Sequence, residues 1–106
     1  MASATALHLS LHHPNIVSLF SCFSTSTAHY HVLELCTGGT ISGFLRTRDS
    51  SILSESEMRG VMKSLVDALL YLRKECVIHR DIKPANILLT HDYRIVRHLL
   101  PRCLLH

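Results

Sequence analysis

The sequence predicts an α+β fold, and the spacing of apolar residues is the basis of that prediction. Two runs rich in β-branched, leucine and aromatic residues, 15–20 and 30–35, are typical of strands. Residues 55–74 repeat apolar side chains at helical intervals, which predicts one long amphipathic helix. Two shorter apolar runs, 75–78 and 87–89, then flank a charged segment. Strands followed by a helix and a second strand pair favour the α+β class.

The first two strands are expected to form a hairpin. Serine and threonine dominate the connection 21–27, and such residues are common in loops. Gly38 and Gly39 follow the second strand and allow the chain to bend there, because glycine tolerates backbone angles that other residues avoid.

The long helix has a predicted beginning and a predicted buried face. Ser54 and Glu57 have the spacing of a capping box, so the helix should begin at residue 55. Its two methionines are expected to fill gaps in the core rather than form a ligand surface. The predicted buried stripe consists of Met58, Val61, Met62, Leu65, Leu69 and Leu72.

A charged loop, residues 79–86, lies between the last two apolar runs. Two short strands joined in this way suggest a hairpin-like platform that presents polar groups at one rim. Pro84 restricts its own φ and so stiffens the loop.

Composition argues against several function classes. The formal charge is +3, and the Lys and Arg residues are scattered, which argues against nucleic-acid binding. No run approaches the roughly 20 apolar residues of a membrane span, and the N-terminus lacks the basic start and apolar run of a signal peptide. Arg46, Arg48 and Asp49 are expected to form a solvated charged face.

Cysteine and histidine usage predicts neither disulfides nor a metal site. The four cysteines include no Cys-x-x-Cys pair, which favours free thiols in a reducing, intracellular compartment. His8 and His12 are four residues apart and could share a helix face, but no third ligand is spaced to complete a metal site.

The charged loop also carries a family resemblance. His79-Arg80-Asp81-Ile82-Lys83-Pro84-Ala85-Asn86 resembles the catalytic loop H-R-D-x-K-x-x-N of serine/threonine protein kinases. The segment 13–17, His-Pro-Asn-Ile-Val, resembles the junction between a kinase regulatory helix and its fourth strand. Residues 33–39 resemble the hinge between kinase lobes, and the hinge and long helix together resemble the polo-like kinases.

The resemblance implies a partial protein-kinase-like fold: the last small-lobe strands, the hinge, the long large-lobe helix and the catalytic loop. It assigns residues 1–95 to a partial kinase domain and 96–106 to a divergent C-terminal tail. Within the domain, the small-lobe part would be 1–35, the hinge 33–39 and the large-lobe part 40–95.

The resemblance also implies a role for each polar residue of the loop. Asp81 would orient the substrate hydroxyl and accept its proton, and Lys83 would meet the transferring γ-phosphate and favour serine/threonine specificity. Asn86 would bind Mg²⁺. His79 would be structural, and Arg80 would bind a phosphate of the activation loop.

ATP and Mg²⁺ are the cofactors that the resemblance implies, and a protein is the expected substrate. Leu33 would be the gatekeeper beside the adenine, the backbones of Glu34 and Cys36 would hydrogen-bond to it, and Leu88 would complete the nucleotide pocket. The family further implies a cytoplasmic, nuclear or centrosomal location; the oligomeric state stays open.

Several kinase motifs do not occur within the 106 residues. These are the Gly-rich loop, the ATP-anchoring lysine and Asp-Phe-Gly, and Ala4 stands where the family has a glutamate. The chain alone is therefore expected to be inactive, and a non-catalytic, pseudokinase-like binding module is the alternative. The chain alone is also expected to be unstable or molten and to expose part of the stripe of the long helix.

Overall fold

The computed structural model describes residues 4–48, 52–89 and 96–99. It confirms the α+β class. The elements are α1 (Ala4–Ser10), β1 (Leu19–Ser24), β2 (His29–Leu33), α2 (Ile41–Arg46), α3 (Glu55–Lys74), a 3₁₀ turn (Pro84–Asn86), β3 (Ile87–Leu89) and β4 (Val96–Leu99).

The predicted hairpin exists, but its first strand begins four residues later than expected. β1 and β2 pair antiparallel, from Leu19 opposite Leu33 to Ser24 opposite His29. Most of the serine-rich connection therefore lies in β1, and the turn contains only a few residues. The Thr25 N–H donates to the Ala28 carbonyl at 2.8 Å and closes that turn.

Helix α3 has the predicted bounds, and its capping box is confirmed. The Ser54 hydroxyl accepts from the Glu57 N–H at 3.2 Å, and the Glu57 carboxylate accepts from the Ser54 N–H at 2.8 Å. The bond from the Ser54 backbone, with a second from Arg48, lowers the pKa of Glu57.

The expected solvated face of Arg46, Arg48 and Asp49 does not hold for Arg48, which is half-buried. Its guanidinium contacts the Glu57 carboxylate at 2.6 Å and lies 4.9 Å from the centre of the Phe44 ring. Arg48 thereby joins the end of α2 to the beginning of α3. Arg46 is exposed, and Asp49 lies outside the described residues.

The core lies between α1, α2, α3 and β3. Ala68 and Leu72 are the fully buried apolar residues of α3, and Ser64 beside them is also buried. The buried apolar cluster is Leu7, Leu11, Ile16, Ile41, Ala68, Leu72, Val77, Ile87 and Leu89. Tyr71 adds a polar link, because its hydroxyl accepts from the His12 N–H at 2.8 Å.

The methionine prediction is wrong. Met58 and Met62 are both about half exposed, whereas Val61, Leu65 and Leu69 pack against the core. Small residues at 64 and 68 let the core approach that side of α3 closely, so the buried stripe is rotated away from the methionines.

Residues 75–78 do not form the predicted strand. Cys76 has a φ of +59°, the left-handed region, and the Val77 N–H donates back to the Leu72 carbonyl at 2.9 Å. These backbone groups therefore end α3 rather than extend a sheet. The partner of β3 is β4, with Ile87 opposite Leu99, and β4 lies in the segment that the sequence assigned to the tail.

Helix α2 was missed by the sequence analysis. It has only six residues and follows the N-cap Thr40, whose hydroxyl accepts from the Gly43 N–H at 3.0 Å. Among the described residues, no helix is long and apolar enough to cross a membrane.

Candidate functional site

The charged loop begins where α3 ends, and two buried residues anchor it. Val77 belongs to the core cluster, and His79 is only 3% exposed. The His79 Nδ1 accepts a hydrogen bond from the Asp81 N–H at 3.1 Å. Since Nδ1 acts as an acceptor, a neutral His79 carries its proton on Nε2. The imidazole thus holds the backbone at Asp81.

Arg80, between these residues, has a left-handed backbone. Its φ is +76°, a region that costs most residues other than glycine about 1 kcal/mol or more. This conformation turns the chain between the buried His79 and the partly exposed Asp81. The Arg80 side chain lies on the exposed surface.

Asp81, Lys83 and Asn86 come together in the structure. The Asn86 Nδ2 donates to the Asp81 carbonyl at 2.7 Å and to the Asp81 Oδ2 at 3.1 Å. The Lys83 Nζ lies 3.7 Å from the same Oδ2. The Asp81 carboxylate therefore has one buried neutral donor and one exposed cation beside it.

The 3₁₀ turn holds Asn86 in this position. Pro84 begins the turn, and the Asn86 N–H donates to the Lys83 carbonyl at 2.8 Å. Asn86 is 0% exposed and leads directly into β3, while α2 packs against the turn. The amide is thus part of the core, whereas Lys83 stays at the rim with a side chain 54% exposed.

The predicted nucleotide-binding residues lie at the end of the hairpin. Leu33 ends β2 opposite Leu19 and is partly exposed. The Glu34 N–H donates to the Ser18 carbonyl at 2.9 Å, and the Glu34 carboxylate accepts from the Ser18 N–H at 3.1 Å. Glu34 is therefore fixed to the residue before β1.

Cys36 is half-buried and its thiol is held protonated. Burial, followed by the negative charge of Glu34, raises the pKa of Cys36 to about 11. Among the described residues Cys22, Cys36 and Cys76 are all free thiols.

Backbone bonds that the sequence did not predict join the hinge-like segment to β3. The Gly38 N–H donates to the Leu89 carbonyl at 3.2 Å, and the Leu89 N–H donates to the Gly39 carbonyl at 2.8 Å. Thr40 forms a bridge with Leu88. Gly39 has a φ of +70°, so the glycine pair was the one available indication of this close approach.

These bonds place the hinge-like segment beside β3, the same short strand into which the charged loop leads. Leu88 is half-buried in β3, two residues after Asn86, and β3 is also the strand that the segment after Cys36 contacts. The loop residues and the hinge-like residues are therefore connected through β3 rather than through a long side-chain network.

Asp81 and Asn86 carry the types of oxygen ligand that a hard cation prefers. A carboxylate and an amide oxygen are ligands that Mg²⁺ accepts. Asn86 offers its nitrogen to Asp81, which directs the amide oxygen the other way. Among the described residues, no three His, Cys, Asp or Glu side chains lie close enough to hold a metal ion, so these residues provide only part of a coordination sphere.

His8 is a core residue. Its Nε2 lies 2.7 Å from the Val17 carbonyl, which can only accept, so Nε2 carries the proton. Burial lowers the pKa of His8, and the Val17 bond and the charge of His31 have smaller effects. His12 lies beyond the end of α1 and does not share a helix face with His8.

An apolar groove of about 460 Å³ adjoins the loop and was not predicted. Its walls come from the end of α3 and from the loop itself. They include Leu69, Leu72, Val77, Ile78 and Ile82.

Comparison with known proteins gives a consistent result. The family profile described as the protein kinase domain matches residues 2–97. Sperm motility kinase 2A of Mus musculus is 35% identical over 95 residues, which cover 90% of this chain and 18% of that protein. The serine/threonine-protein kinase cds1 of Schizosaccharomyces pombe is 38% identical over 86 residues, 81% of this chain and 18% of that protein.

The serine/threonine-protein kinase PLK4 of Xenopus tropicalis is 37% identical over 89 residues, 84% of this chain and 9% of that protein. The chain thus spans between about a tenth and a fifth of the length of these relatives. PLK4 proteins of four organisms are 35–40% identical to this chain, and kinases of other names are 34–38% identical, so the similarity favours the polo-like kinases only weakly.

Proposed function

The chain belongs to the protein kinase family, as a serine/threonine kinase domain fragment, and we propose that its loop serves ATP-dependent phosphorylation of serine and threonine hydroxyls on proteins. The observation that carries the proposal is the arrangement at Asp81. Its carboxylate lies at the rim of the loop, 3.1 Å from the buried Asn86 amide and 3.7 Å from the Lys83 ammonium.

Each residue of this arrangement has a distinct task in phosphoryl transfer. Asp81 would orient the attacking hydroxyl and accept its proton, since it is an acceptor held at a partly exposed position. Lys83, on the exposed rim, would neutralise charge that develops on the transferring phosphate. ATP and Mg²⁺ would supply the phosphoryl group and the neutralising cation, and the Asn86 amide oxygen is the proposed Mg²⁺ ligand.

The burial of Asn86 adds a condition to this mechanism. Because the residue is fully buried, a cation can reach its oxygen only if neighbouring groups move. The bond to Asp81 then keeps the amide oriented while the site opens.

The hinge-like segment is the proposed adenine site. Leu33 and Leu88 would provide apolar contacts, and the backbones at Glu34 and Cys36 would provide hydrogen bonds. The backbone bond from Gly38 to Leu89 and the one from Leu89 to Gly39 support the proposal, because they hold this segment against β3 beside the loop.

We expect the 106-residue polypeptide by itself to transfer no phosphate. Within it there is no Gly-rich loop, no ATP-anchoring lysine and no Asp-Phe-Gly. Loss of a single electrostatic stabiliser commonly lowers a rate by about 10²–10³. Several such losses together would bring the rate below detection, and nucleotide would also be held poorly.

A chimera tests the loop separately from the rest of the domain. Residues 4–95 would replace the matching stretch of a complete, active kinase domain, such as that of the Xenopus tropicalis PLK4 protein. We expect phosphorylation of a generic protein substrate, and a loss of about 10²–10⁴ in kcat when Asp81 is changed to Asn.

The variant Lys83→Arg keeps the positive charge at position 83 and is the matched control for charge. Retained nucleotide binding shows that the chimera has folded. A chimera that binds ATP but shows the same low rate with Asp81 and with Asn at this position would contradict the proposal. Turnover by the isolated 106-residue chain, abolished by Asp81→Asn, would contradict only the expectation that the chain alone is inactive.

A non-catalytic binding module is a second candidate, favoured by the apolar residues exposed along α3. We also propose an intracellular, reducing location, which the free thiols among the described residues support. Protein substrates, without nucleic-acid or membrane partners, complete the proposal.

A further inference from the structure

Helix α2 is too short to fix its own position. It has six residues, and helices shorter than about 12–15 residues are marginal in water without tertiary contacts. Its N-terminal end is held at the core, because Ile41 is buried and the preceding Thr40 forms a bridge with Leu88. The contacts at its C-terminal end decide how firmly the rest of the helix is fixed.

The guanidinium of Arg48 makes several contacts at that end. Its Nη1 donates to the Glu57 carboxylate at 2.6 Å and to the Ile52 carbonyl at 3.1 Å. The guanidinium carbon also lies 4.9 Å from the centre of the Phe44 ring, and Phe44 packs against the core. The Glu57 carboxylate is itself fixed at the beginning of α3, because it accepts from the Ser54 N–H. Arg48 thus joins the end of α2 to a fixed point on α3.

A second ion pair of the same length shows why the first is different. Arg59 contacts Glu55 at 2.6 Å, but these side chains are 78% and 81% exposed and belong to one helix. The side chains of Arg48 and Glu57 are only 32% and 25% exposed. Water screens an exposed pair, and such pairs contribute little. The Arg48–Glu57 pair is therefore better shielded, and it fixes one helix relative to another.

Helix α2 also contacts the charged loop. It packs against the 3₁₀ turn Pro84–Asn86 and against β3. Asn86 in that turn is fully buried, and its Nδ2 donates to the Asp81 Oδ2 at 3.1 Å. A displacement of α2 would therefore move the amide that holds the Asp81 carboxylate.

We propose that Arg48 and Glu57 are positioning residues for the charged loop. Their ion pair fixes α2, and α2 keeps Asn86 and Asp81 in place for phosphoryl transfer. The two residues act through α2 and the 3₁₀ turn rather than by contact with a substrate. The effect on the rate rests on the proposed function, whereas the effect on the position of the loop rests on these contacts alone.

The hinge-like segment is held by bonds of its own. The Gly38 N–H donates to the Leu89 carbonyl, and the Leu89 N–H donates to the Gly39 carbonyl. Loss of the ion pair should therefore leave the KM for ATP nearly unchanged. It should lower kcat, because a displacement of about 1 Å at the reacting groups can lower a rate by about 100-fold.

The chimera that carries residues 4–95 is the protein for the test, because a complete kinase domain then surrounds the pair. Arg48→Ala removes the guanidinium, and Glu57→Gln removes the charge but keeps an oxygen for the Ser54 N–H. We expect each variant to lower kcat by about 10–100-fold and to change the KM for ATP by less than about twofold. The double variant should be no slower than Arg48→Ala alone, because both changes remove the same interaction.

Two control variants separate positioning from a loss of stability. Arg59→Ala removes the exposed ion pair of the same length. Ser54→Ala removes the N-cap hydroxyl of α3 but keeps the backbone N–H that holds Glu57. Both should leave kcat within about twofold of the unmodified chimera. An equal fall in kcat with Ser54→Ala and with Arg48→Ala would overturn the proposal, because a weakened α3 would then explain both.

Amide hydrogen exchange of the chimera tests the position of the loop without any catalysis. Exchange in residues 84–89 is divided by exchange in residues 64–72 of α3, so that a change in overall stability cancels. Arg48→Ala should raise this ratio by about fivefold or more, and Arg59→Ala should leave it unchanged. A raised ratio in a folded but inactive chimera would support the positioning role while contradicting the proposed function. An unchanged ratio, or an unchanged kcat in an active chimera, would overturn the positioning role and leave the proposed function intact.

Discussion

The β1–β2 hairpin and the loop between α3 and β3 differ in how they are supported. In the hairpin only Leu19 is buried, and Phe20, Phe23, Tyr30 and Val32 are all exposed. In the loop region the residues on both sides of Asp81 reach the core, from Val77 and His79 to Ile87.

The difference shows that the core supports the loop, whereas the hairpin depends mainly on the pairing of its own two strands. The loop is held by its own hydrogen bonds and by α2, which packs against the 3₁₀ turn. The hairpin has a stacked pair, Phe23 and Tyr30 at 4.9 Å, and α1 contacts β1, but most of its side chains stay exposed. His79 and Asn86, which hydrogen-bond to Asp81, are thus more deeply buried than the residues of the hairpin.

The largest expected difference in unfolding free energy comes from changing a leucine to alanine in the core and in the hairpin. Leu72→Ala removes a side chain that is 2% exposed and should cost about 2–5 kcal/mol of unfolding free energy. Leu33→Ala, in the hairpin at 39% exposure, should cost less than about 1 kcal/mol. Urea denaturation followed by circular dichroism measures both, and equal losses would show that the hairpin is as well packed as the core.

Removing the buried amide of the loop should have the next largest effect. Asn86→Ala leaves the Asp81 carbonyl without its 2.7 Å donor and should destabilise the fold by about 1–3 kcal/mol. Asn15→Ala, at a half-buried position before the hairpin, is the matched control and should change stability by about 0.5 kcal/mol at most. Chemical denaturation distinguishes them; a neutral Asn86→Ala would mean that the loop does not depend on this bond.

Removing one hydroxyl at the start of α3 and one in the hairpin turn tests the same comparison, with smaller expected losses of stability. Ser54→Ala removes the N-cap acceptor of α3 and should cost about 1 kcal/mol. Thr25→Ala removes the hydroxyl that accepts from Ala28 N–H in the hairpin turn at 3.2 Å, and should cost about 0.5 kcal/mol or less. Thermal unfolding midpoints measure the pair. A larger loss for Thr25→Ala would contradict the view that the hairpin contributes little.

The last expected effect is a pH dependence at His8, whose ring bonds to the Val17 carbonyl just before the hairpin. Burial lowers the pKa of His8 in the folded state, so the unfolded chain binds this proton more readily. Its contribution is present above the unfolded pKa of about 6.5 and is lost as the pH falls through the lowered folded pKa. The slope is at most about 1.4 kcal/mol per pH unit.

The variant His8→Gln isolates that contribution from the other histidines. Unfolding free energies measured between neutral and mildly acid pH should fall less steeply in the variant than in the natural chain. Identical slopes would show that His8 protonation does not affect stability.

The sequence was most informative where one residue pattern fixes one local structure. Ser54 and Glu57 located the beginning of α3, because the capping box is a local arrangement of two side chains and two backbone groups. The spacing of Asp81, Lys83 and Asn86 likewise predicted residues that the structure brings together.

The sequence was least informative where distant segments decide the outcome. The apolar run 75–78 resembled a strand, but the left-handed Cys76 turned its backbone toward the helix end. The buried side of α3 depended on Ser64 and Ala68, whose small size allows close approach, and periodicity alone could not distinguish that side from the side with the methionines. The roles proposed for Leu33, Glu34, Cys36 and Leu88 stay predictions.

The core cluster also has a consequence for the order of events during synthesis. It joins Leu7 and Leu11, near the N-terminus, to Leu72 and Leu89. Helix α1 therefore leaves the ribosome long before its partners on α3 and β3, although β1, which it also contacts, follows soon after it. Only the β1–β2 hairpin is complete early, and a lone two-stranded hairpin is at best marginally stable in water. The nascent chain should thus expose apolar surface until about residue 89 has emerged, which makes it a natural client for chaperones.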